Sequence, residues 1–414
     1  MGVILNKNEI VAGVDLGSSV VRVIIGRLDA YGRIEILGFS EEPFEGIRHG
    51  VITDLKATAN VAEKNILVAE EQANIEITQI VVNIGGDHAY SYNHKSKVVI
   101  RHHDKKIKNH DLYEVVYSQK NLHIHDTFAV MHTLVKNFAV DDVEDISQPL
   151  SMVANELHAN VHLFLGRHNL IQNVYNVFES IGIHVEAVYP NAYLVGEAIL
   201  ADEEKDLGVI CLDIGAQSTD VITYQKGEVF HSFSIPLGSA YLIEKISRQF
   251  CISKEHAQDI MEKYAYVGEI GIGEDREILL QNIAKASYSK IKGEELKSIS
   301  QLAVENILEK IDLRLSQEDL KTHASAGIVL TGGMAYLKGL TKVAQEVFKK
   351  PVRLASVDHP IAGNEAIRLK GYQYPLCCGL IRVTREVRDN TLIKVPSWVE
   401  RFKHIIGVFF AELF

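Results

Sequence analysis

Two stretches of the chain, one in each half, repeat the same order of apolar and polar positions. In each stretch an apolar run ends in an aspartate, continues through an X-Gly step and small residues, several of them with hydroxyl groups, and leads into a second apolar run. Asp15 corresponds to Asp213 in this repeat, and Gly17 corresponds to Gly215. Two apolar runs separated by a short glycine-containing turn predict a β-hairpin. The pattern therefore predicts an internally duplicated protein with one such hairpin in each half.

The segments around the two hairpins alternate between helical and strand periodicity. Apolar residues at steps of three and four predict helices, and short continuous apolar runs predict buried strands. The predicted helices are 60–71, 111–118, 168–181, 242–262, 294–315 and 340–348, and the predicted strands include 10–15, 80–84 and 328–331. Alternating strands and helices favour the α/β class.

Residues 87–163 differ from the rest, because they mix short strands with one helix and are rich in histidine. This composition predicts an inserted small α+β subdomain. The pairs His102/His103 and His123/His125 raise the possibility of a metal site. However, no cysteine lies nearby and the spacing matches no zinc pattern, so the favoured interpretation is that these are surface histidines.

The composition narrows the function classes. The 414 residues, of which 47% are apolar, are enough for a large core and for two or more structural units. The formal net charge of −11 disfavours nucleic-acid binding, and the one basic cluster, at 101–108, is interrupted by Asp104 and is interpreted as a solvated loop.

The four cysteines form no CxxC pair, which fits a reducing compartment. No apolar stretch is long enough to span a membrane and no signal region precedes the first strand, so we expect a cytoplasmic protein.

The two repeated turns suit a phosphate ligand. Gly17 and Gly215 permit backbone geometries that expose amide N–H groups, and the neighbouring serines and threonine add hydroxyl donors. The carboxylates of Asp15 and Asp213 suit Mg²⁺, which keeps several waters and bridges phosphates. A single turn of this kind is a weak signal, since similar sequences occur in plain hairpins. Two copies in matching context predict that a triphosphate is gripped from both sides, and Gly332 adds a third glycine turn at a strand end.

These motifs resemble those of the actin, Hsp70 and sugar-kinase superfamily over nearly the whole chain. Residues 15–19 and 213–219 resemble its two phosphate motifs, residues 328–334 its adenosine motif and residues 189–192 its first connecting motif. Within the superfamily the chain resembles the FtsA family of bacterial cell-division proteins. The features that carry this resemblance are the insertion at about 87–163, the segments 328–333 and 235–238, and an amphipathic C-terminal segment that begins at Ser397.

The resemblance implies an actin-like duplicated ATPase fold that binds ATP and Mg²⁺. The candidate nucleotide-binding residues are Asp15, Gly17, Ser18, Ser19, Asp213, Gly215, Ala216, Gln217, Ser218, Thr219, Gly238, Thr331, Gly332, Gly333 and Met334. Asp15 and Asp213 would hold the Mg²⁺, mainly through water. The expected subdomains are 1–86 completed by about 363–390, the insertion 87–163, 164–240 completed by about 324–362, 241–323, and a linker with a membrane-targeting helix at 391–414.

The resemblance also implies partners. Such proteins self-associate into actin-like filaments at the inner membrane of the division septum, tether FtsZ and recruit later division proteins such as FtsN. The FtsZ tail would bind 241–323, with 294–315 as a candidate surface, and the insertion would mediate filament contacts and bind the later proteins. Glu295 stands where relatives tend to carry arginine, so no basic groove for an acidic peptide is predicted.

The chain departs from the superfamily pattern at two positions. Members that hydrolyse ATP briskly often carry glutamate just before the connecting-motif proline, and here that residue is Tyr189. We therefore expect weak or absent hydrolysis and assign no catalytic residue. Where the family has a Gly-Gly pair, this chain has Gly238-Ser239. We therefore expect the backbone at this position to approach phosphate less closely.

The C-terminal segment 397–414 has one apolar helical face. Its members are Trp398, Phe402, Ile405, Ile406, Phe409, Phe410 and Leu413. This pattern and the family resemblance predict a helix that lies in the membrane interface, whereas the pattern alone fits a helix packed on its own core equally well. Because Arg401 and Lys403 are offset by Glu400 and Glu412, apolar burial must supply most of the membrane affinity.

Three other members of the superfamily are alternatives. A sugar kinase needs a catalytic aspartate base and a sugar pocket, neither of which can be assigned. An Hsp70-type chaperone needs a large peptide-binding domain, and too few residues follow the last core segment to form one. A pilus-assembly protein of the same fold is the runner-up, and the amphipathic C-terminal segment argues against it.

Overall fold

The computed structural model describes residues 10–29, 31–117, 125, 127–269, 277–282, 287–357, 361–362, 369 and 371–389. The strands are β1 (Val11–Leu16), β2 (Val20–Leu28), β3 (Ile34–Pro43), β4 (Ile47–Arg48), β5 (Val51–Ile52), β6 (Gln79–Ile84), β7 (Ala89–Val99), β8 (Phe128–Val140), β9 (Val143–Ile146), β10 (Glu156–Arg167), β11 (His184–Pro190), β12 (Val209–Ile214), β13 (Thr219–Gln225), β14 (Glu228–Ile235), β15 (Glu277–Asn282), β16 (Ser287–Lys292), β17 (Ile328–Thr331), β18 (Val352–Leu354) and β19 (Ile361–Ala362). The helices are α1 (Leu55–Ala73), α2 (Asn109–Tyr117), α3 (His168–Glu179), α4 (Asn191–Ile199), α5 (Asp202–Leu207), α6 (Ser239–Phe250), α7 (Lys254–Tyr264), α8 (Gly293–Gln317), α9 (Leu340–Phe348) and α10 (Pro375–Asp389), with short 3₁₀ turns at Leu320–His323 and Gly333–Tyr336.

The chain divides into two compact units. Unit 1 comprises residues 1–90 and 166–385, and unit 2 comprises residues 91–165 and 386–414. Unit 1 contains a six-stranded sheet in the order β11-β6-β1-β2-β3-β19 and the strands β18-β17-β12-β13-β14 of a second sheet. Unit 2 contains the strands β7-β10-β8-β9 in that order, together with α2.

The two sheets of unit 1 repeat one topology. In the first sheet β1 pairs antiparallel with β2 and parallel with β6, and β2 pairs antiparallel with β3. In the second sheet β12 pairs antiparallel with β13 and parallel with β17, and β13 pairs antiparallel with β14. Asp15 and Asp213 occupy the same place, one residue before the end of β1 and of β12. The predicted duplication of the hairpin is therefore confirmed.

The centre of the first sheet is tightly packed. Every residue of β1 is buried, as expected for a strand with layers on both faces. Helix α10 lies against this strand so closely that a Cβ atom on Gly13 would stand 2.9 Å from the Cβ of Leu380. A larger residue in place of Gly13 would push α10 away, so the glycine allows the close approach of α10 to β1 at Leu380.

One predicted helix is wrong. Residues 242–262 were expected to form a single helix, whereas α6 ends at Phe250 and α7 begins at Lys254. Cys251 has a left-handed backbone (φ 52°), and the hydroxyl of Ser253 accepts the backbone N–H of His256 as the cap of α7. Apolar periodicity continues across the break, so it cannot reveal a left-handed residue that is not glycine.

Helix α9 has the predicted bounds, and α3 differs from its prediction only at the C-terminal end. Within the described residues, none of the helices combines the length and the apolar character needed to cross a bilayer. The predicted membrane-binding helix at 397–414 lies outside the described residues.

Candidate functional site

The two repeated turns line one cavity of unit 1, which has a volume of about 1690 Å³. This exceeds the roughly 300–1,000 Å³ of typical small-ligand pockets, so a nucleotide fits within it. The predicted nucleotide-binding residues that line the cavity are Asp15, Gly17, Ser18, Ser19, Asp213, Gly215, Ala216, Gln217, Ser218, Gly238, Gly332, Gly333 and Met334. Three separate sequence motifs therefore converge on one space.

Two of the predicted residues lie behind the cavity wall. The hydroxyl of Thr219 donates to the backbone oxygen of Leu237 at 2.8 Å, and the hydroxyl of Thr331 donates to the backbone oxygen of Tyr372 at 3.1 Å. Both threonines are buried, with 0% and 1% of their surface exposed. Their hydroxyls stabilise the neighbouring loops, so the position of Thr219 does not support the expectation that it donates to phosphate.

The aspartate of the first turn has a cationic partner. Asp15 stands opposite Arg22 in the β1–β2 register, and Arg22 Nη1 lies 3.0 Å from Asp15 Oδ2. Arg22 Nε also lies 3.1 Å from Glu41 Oε2. Burial raises the pKa of Asp15, while the charge and the hydrogen bond of Arg22 act against that rise. Arg22 therefore partly offsets the charge of Asp15, although it also pairs with Glu41.

The aspartate of the second turn faces another aspartate. Asp213 stands opposite Asp220 in the β12–β13 register. Burial, and then the nearby carboxylates of Asp220 and Asp15, raise the pKa of Asp213 to about 8, although Arg22 opposes the shift. Asp213 itself is half-buried and lines the cavity. The second turn therefore places Asp213 beside other carboxyl groups, and without a cation in the cavity Asp213 holds a proton at neutral pH.

A chain of hydrogen bonds connects the two turns through a pair of asparagines. The Leu16 N–H donates to Asn83 Oδ1 at 2.7 Å, which fixes the Asn83 Nδ2 group as the donor to Asp15 at 3.1 Å and to Asn191 Oδ1 at 2.9 Å. Asn191 Nδ2 in turn donates to Asp220 Oδ2 at 3.1 Å. The two carboxylates are thus oriented by one continuous amide network.

Sequence reasoning missed the four residues that organise the carboxylates, namely Arg22, Asn83, Asn191 and Asp220. A signal for two of them exists, because Arg22 and Asp220 each follow their turn aspartate at the same spacing in the repeat. In a hairpin with a known turn, that spacing identifies the cross-strand partner. Asn191 lies within the motif at 189–192, which the sequence analysis singled out without giving Asn191 a role, whereas Asn83 comes from an element distant in sequence and leaves no such local signal.

The second turn is supported from two further directions. The backbone N–H groups of Ser239 and Ala240, at the start of α6, donate to the oxygens of Gly215 and Ala216 at 2.9 and 2.8 Å. Gly332 has a left-handed backbone (φ 88°), and a Cβ atom there would stand 2.3 Å from Asp213 Oδ1. The third glycine motif therefore has to be glycine because it abuts the Asp213 carboxylate.

The donor set fits a hydrated magnesium ion. Carboxylate oxygens are the ligands that Mg²⁺ prefers, and the excess of carboxylates at the second turn supplies them. Among the residues that the structure describes, no three His, Cys, Asp or Glu side chains are grouped as direct ligands of one metal. The arrangement therefore suits an ion that keeps most of its waters and is shared with phosphate oxygens.

Among the described residues, the first predicted histidine pair does not form a metal site. His102 Nε2 lies 3.0 Å from Asp111 Oδ2, next to the start of α2. His103 is exposed, and His123 lies outside the described residues.

Tyr189, which precedes Pro190 at the end of β11, is buried, with 2% of its surface exposed.

Two family models match the chain. The model described as Cell division protein FtsA matches residues 210–373, and the model described as SHS2 domain inserted in FTSA matches residues 86–165. Together they cover more than half of the chain. The second match falls on the segment that the sequence predicts to be an insertion.

Curated relatives agree with the family models. The chain is 27% identical over 380 residues to the Cell division protein FtsA of Bacillus subtilis, covering 91% of this chain and 84% of the relative. It is 25% identical over 409 residues to the protein of that name from Escherichia coli, covering 95% of this chain and 96% of the relative.

Solved structures show the fold. A PilM–PilN type IV pilus biogenesis complex matches with a TM-score of 0.63 at 14% identity, covering 91% of this chain and 98% of that chain. MreB5 of Spiroplasma citri bound to ADP matches with a TM-score of 0.57 at 12% identity, covering 93% of this chain and all of that chain. The predicted actin-like fold with an inserted domain is therefore confirmed, and the chain belongs to the FtsA family of cell-division proteins.

Proposed function

We propose that this protein binds Mg²⁺ and ATP between its two repeated turns and acts as a membrane scaffold for FtsZ filaments during cell division. The observation that carries the nucleotide proposal is the convergence of both turns and the Gly332 motif on one cavity, with surplus carboxylate at the second turn. Related folds bound to ADP and to AMPPNP, in MreB5 of Spiroplasma citri, support the same proposal.

Different residues of the cavity would contact different parts of the ligand. The hydroxyls of Ser18, Ser19 and Ser218 and the N–H groups of the two turns would donate to phosphate oxygens, because consecutive amides in a glycine turn form an anion-binding concavity. The segment from Gly332 to Met334 would contact the adenosine. Magnesium, when bound, neutralises phosphate charge, and Asp15 and Asp213 would hold its water ligands.

Turnover would be slow or absent. Tyr189 is buried at the position where the family resemblance places the glutamate of brisk ATPases, and a tyrosine offers no carboxylate to position an attacking water. We therefore propose that ATP acts as a bound effector that sets the shape of the cavity. No residue is assigned as catalytic.

The scaffold role combines three surfaces of the chain. We propose that residues 241–323 bind the FtsZ tail, that the insertion at 87–163 mediates filament contacts and binds later division proteins such as FtsN, and that 397–414 anchors the protein to the cytoplasmic face of the inner membrane. Within 397–414, burial of Trp398, Phe402 and Phe409 in the membrane would supply much of the affinity. The pilus-assembly alternative has support from fold similarity alone.

Electron microscopy of the protein on lipid monolayers, with and without Mg²⁺–ATP, tests this proposal. We expect membrane-bound filaments of the full chain with Mg²⁺–ATP. A truncation after Pro396 should bind ATP but leave the monolayer bare, and Asp213→Ala should reach the monolayer without binding Mg²⁺–ATP tightly. Equal membrane binding by the truncated chain would overturn the anchor, and unchanged ATP affinity of Asp213→Ala would overturn the site.

A further inference from the structure

A small hairpin in the first half of the chain reaches the second turn. Strands β4 and β5 are joined by His49 and Gly50, both of which have left-handed backbones, with φ of 49° and 77°. Two such residues form the tight turn that best matches the twist of a hairpin. A histidine in this conformation is strained relative to glycine, and strain of this kind concentrates at functional positions.

The tip of this hairpin makes two hydrogen bonds to Gln217. The backbone N–H of His49 donates to Gln217 Oε1 at 3.0 Å, and the His49 ring Nδ1 lies 3.0 Å from the backbone oxygen of Gln217. Both residues line the cavity. Since a carbonyl oxygen only accepts, the ring contact requires the tautomer that carries hydrogen on Nδ1, or the protonated ring.

The hairpin is held in place from behind by backbone contacts. A Cβ atom on Gly50 would stand 2.0 Å from the backbone oxygen of Gly85, and one on Gly86 would stand 2.2 Å from the backbone oxygen of His49. Gly85 and Gly86 follow β6, which carries Asn83 of the amide network. The tip therefore has a rigid support, and its contact with Gln217 joins the two halves of unit 1 at the cavity wall.

The contact also orients the Gln217 side chain. Because Gln217 Oε1 accepts from His49, the Nε2 amino group is the other end of the amide and can only donate. A donor in a turn beside Ser218 is suited to a phosphate oxygen, whereas a reversed amide would present its oxygen and repel phosphate. The same pair of contacts ties the backbone of the second turn to the first half of the chain.

We propose that His49 is a positioning residue that acts through Gln217 to close the second turn over the terminal phosphate of a bound nucleoside triphosphate. This inference rests on the proposed nucleotide function and adds a residue and a selectivity to it. The ring contact to the Gln217 backbone oxygen holds the second turn where it would meet the phosphate that distinguishes a triphosphate from a diphosphate. Its loss therefore speeds release of the triphosphate more than release of the diphosphate.

Two substitutions separate the ring contact from the backbone turn. His49→Gly keeps the left-handed backbone and removes the ring, while His49→Asn also tolerates this backbone and offers an amide N–H at the same number of bonds from the main chain as Nδ1. Release of fluorescent methylanthraniloyl-ATP and -ADP, in excess Mg²⁺, is measured for the full-length chain by stopped-flow displacement with unlabelled nucleotide. Thermal unfolding of each variant is followed by circular dichroism.

We expect His49→Gly to release the ATP analogue about five- to tenfold faster, the effect of one lost hydrogen bond, with less than about twofold change for the ADP analogue. His49→Asn should restore slow release. His49→Gly and Gln217→Ala remove different hydrogen bonds, because glycine keeps the backbone N–H that Gln217 Oε1 accepts and alanine keeps the backbone oxygen that the ring contacts. The double variant should therefore release the ATP analogue faster than either single variant. If the unaltered protein binds neither analogue, the proposed nucleotide function fails. If it binds both and His49→Gly releases them at unaltered or equally raised rates, the role of His49 is overturned.

Discussion

The two hairpins of unit 1 share one fold and differ at one cross-strand position. Opposite Asp15 the first hairpin has Arg22, which forms an ion pair with it at 3.0 Å. Opposite Asp213 the second hairpin has Asp220, and the pKa of Asp213 is raised to about 8. The two hairpins thus have the same strand pairing but a cation opposite the first aspartate and a carboxyl group opposite the second.

This difference assigns different tasks to the two turns. A buried carboxylate with its arginine is satisfied within the protein, so the first turn can hold its shape without a ligand. The half-buried Asp213 and the buried Asp220 repel each other when both are ionised, so the second turn gains most from a cation delivered with the ligand. The asparagine pair Asn83 and Asn191 passes between the two turns and orients a carboxylate of each.

Removing the arginine should give the largest effect. Arg22→Met leaves Asp15 buried without a cation, and breaking a buried ion pair from one side costs about 3–5 kcal/mol. Arg27, which is on the same strand and pairs with Glu35 at a more exposed position, serves as the matched control. Arg27→Met should cost at most about 1 kcal/mol. Urea unfolding followed by circular dichroism compares the two variants. Equal losses in the free energy of unfolding would contradict the role of Arg22 in stabilising the Asp15 carboxylate.

Replacing Asp213 should change the free energy of unfolding by a smaller amount, and this change should depend on pH. The folded-state pKa of Asp213 is about 8, against 3.8 for an unperturbed aspartate, so between these values the native state retains a proton that the unfolded state has lost. Stability from this group is therefore greatest at low pH and is lost as pH rises toward 8. Without Mg²⁺, the unaltered protein should lose up to about 1.4 kcal/mol per pH unit relative to Asp213→Asn between pH 5 and 7.

The control for this experiment is Asp202→Asn, because the Asp202 side chain is 87% exposed. Its difference from the unaltered protein should stay constant over the same pH range. A constant difference for Asp213→Asn as well would show that Asp213 does not retain a proton in the folded protein over this range.

The sequence was sufficient for the backbone of the site. An aspartate followed by X-Gly between two apolar runs is a local pattern, and both turns stand where that pattern predicts them. Helix α9 was equally accessible, because a short amphipathic stretch after a glycine turn leaves little choice of bounds. The fold followed from the duplication, since each hairpin brings the same neighbours with it.

The electrostatics of the site were not accessible in the same way. The roles of Asn83 and Asn191 depend on parallel strands and helices that are distant in sequence, and the orientation of Thr219 depends on the face that β13 turns to the core. The break at Cys251 depends on one backbone angle that no apolar pattern records. Local chemistry was predictable, whereas long-range register and packing were not.

The most direct test of the account counts protons released when Mg²⁺–ATP binds. A carboxyl group that holds the water ligands of Mg²⁺ accepts their hydrogen bonds as a carboxylate, so Asp213, mostly protonated at pH 7, would give up its proton. Titration calorimetry in buffers of different ionisation enthalpy measures this number. We predict that the unaltered protein releases about one proton more than Asp213→Asn at pH 7 and no more than the variant at pH 9.5. Equal proton release by the two proteins at pH 7, with ATP bound by both, would contradict the assignment of the second turn as the one that awaits a cation.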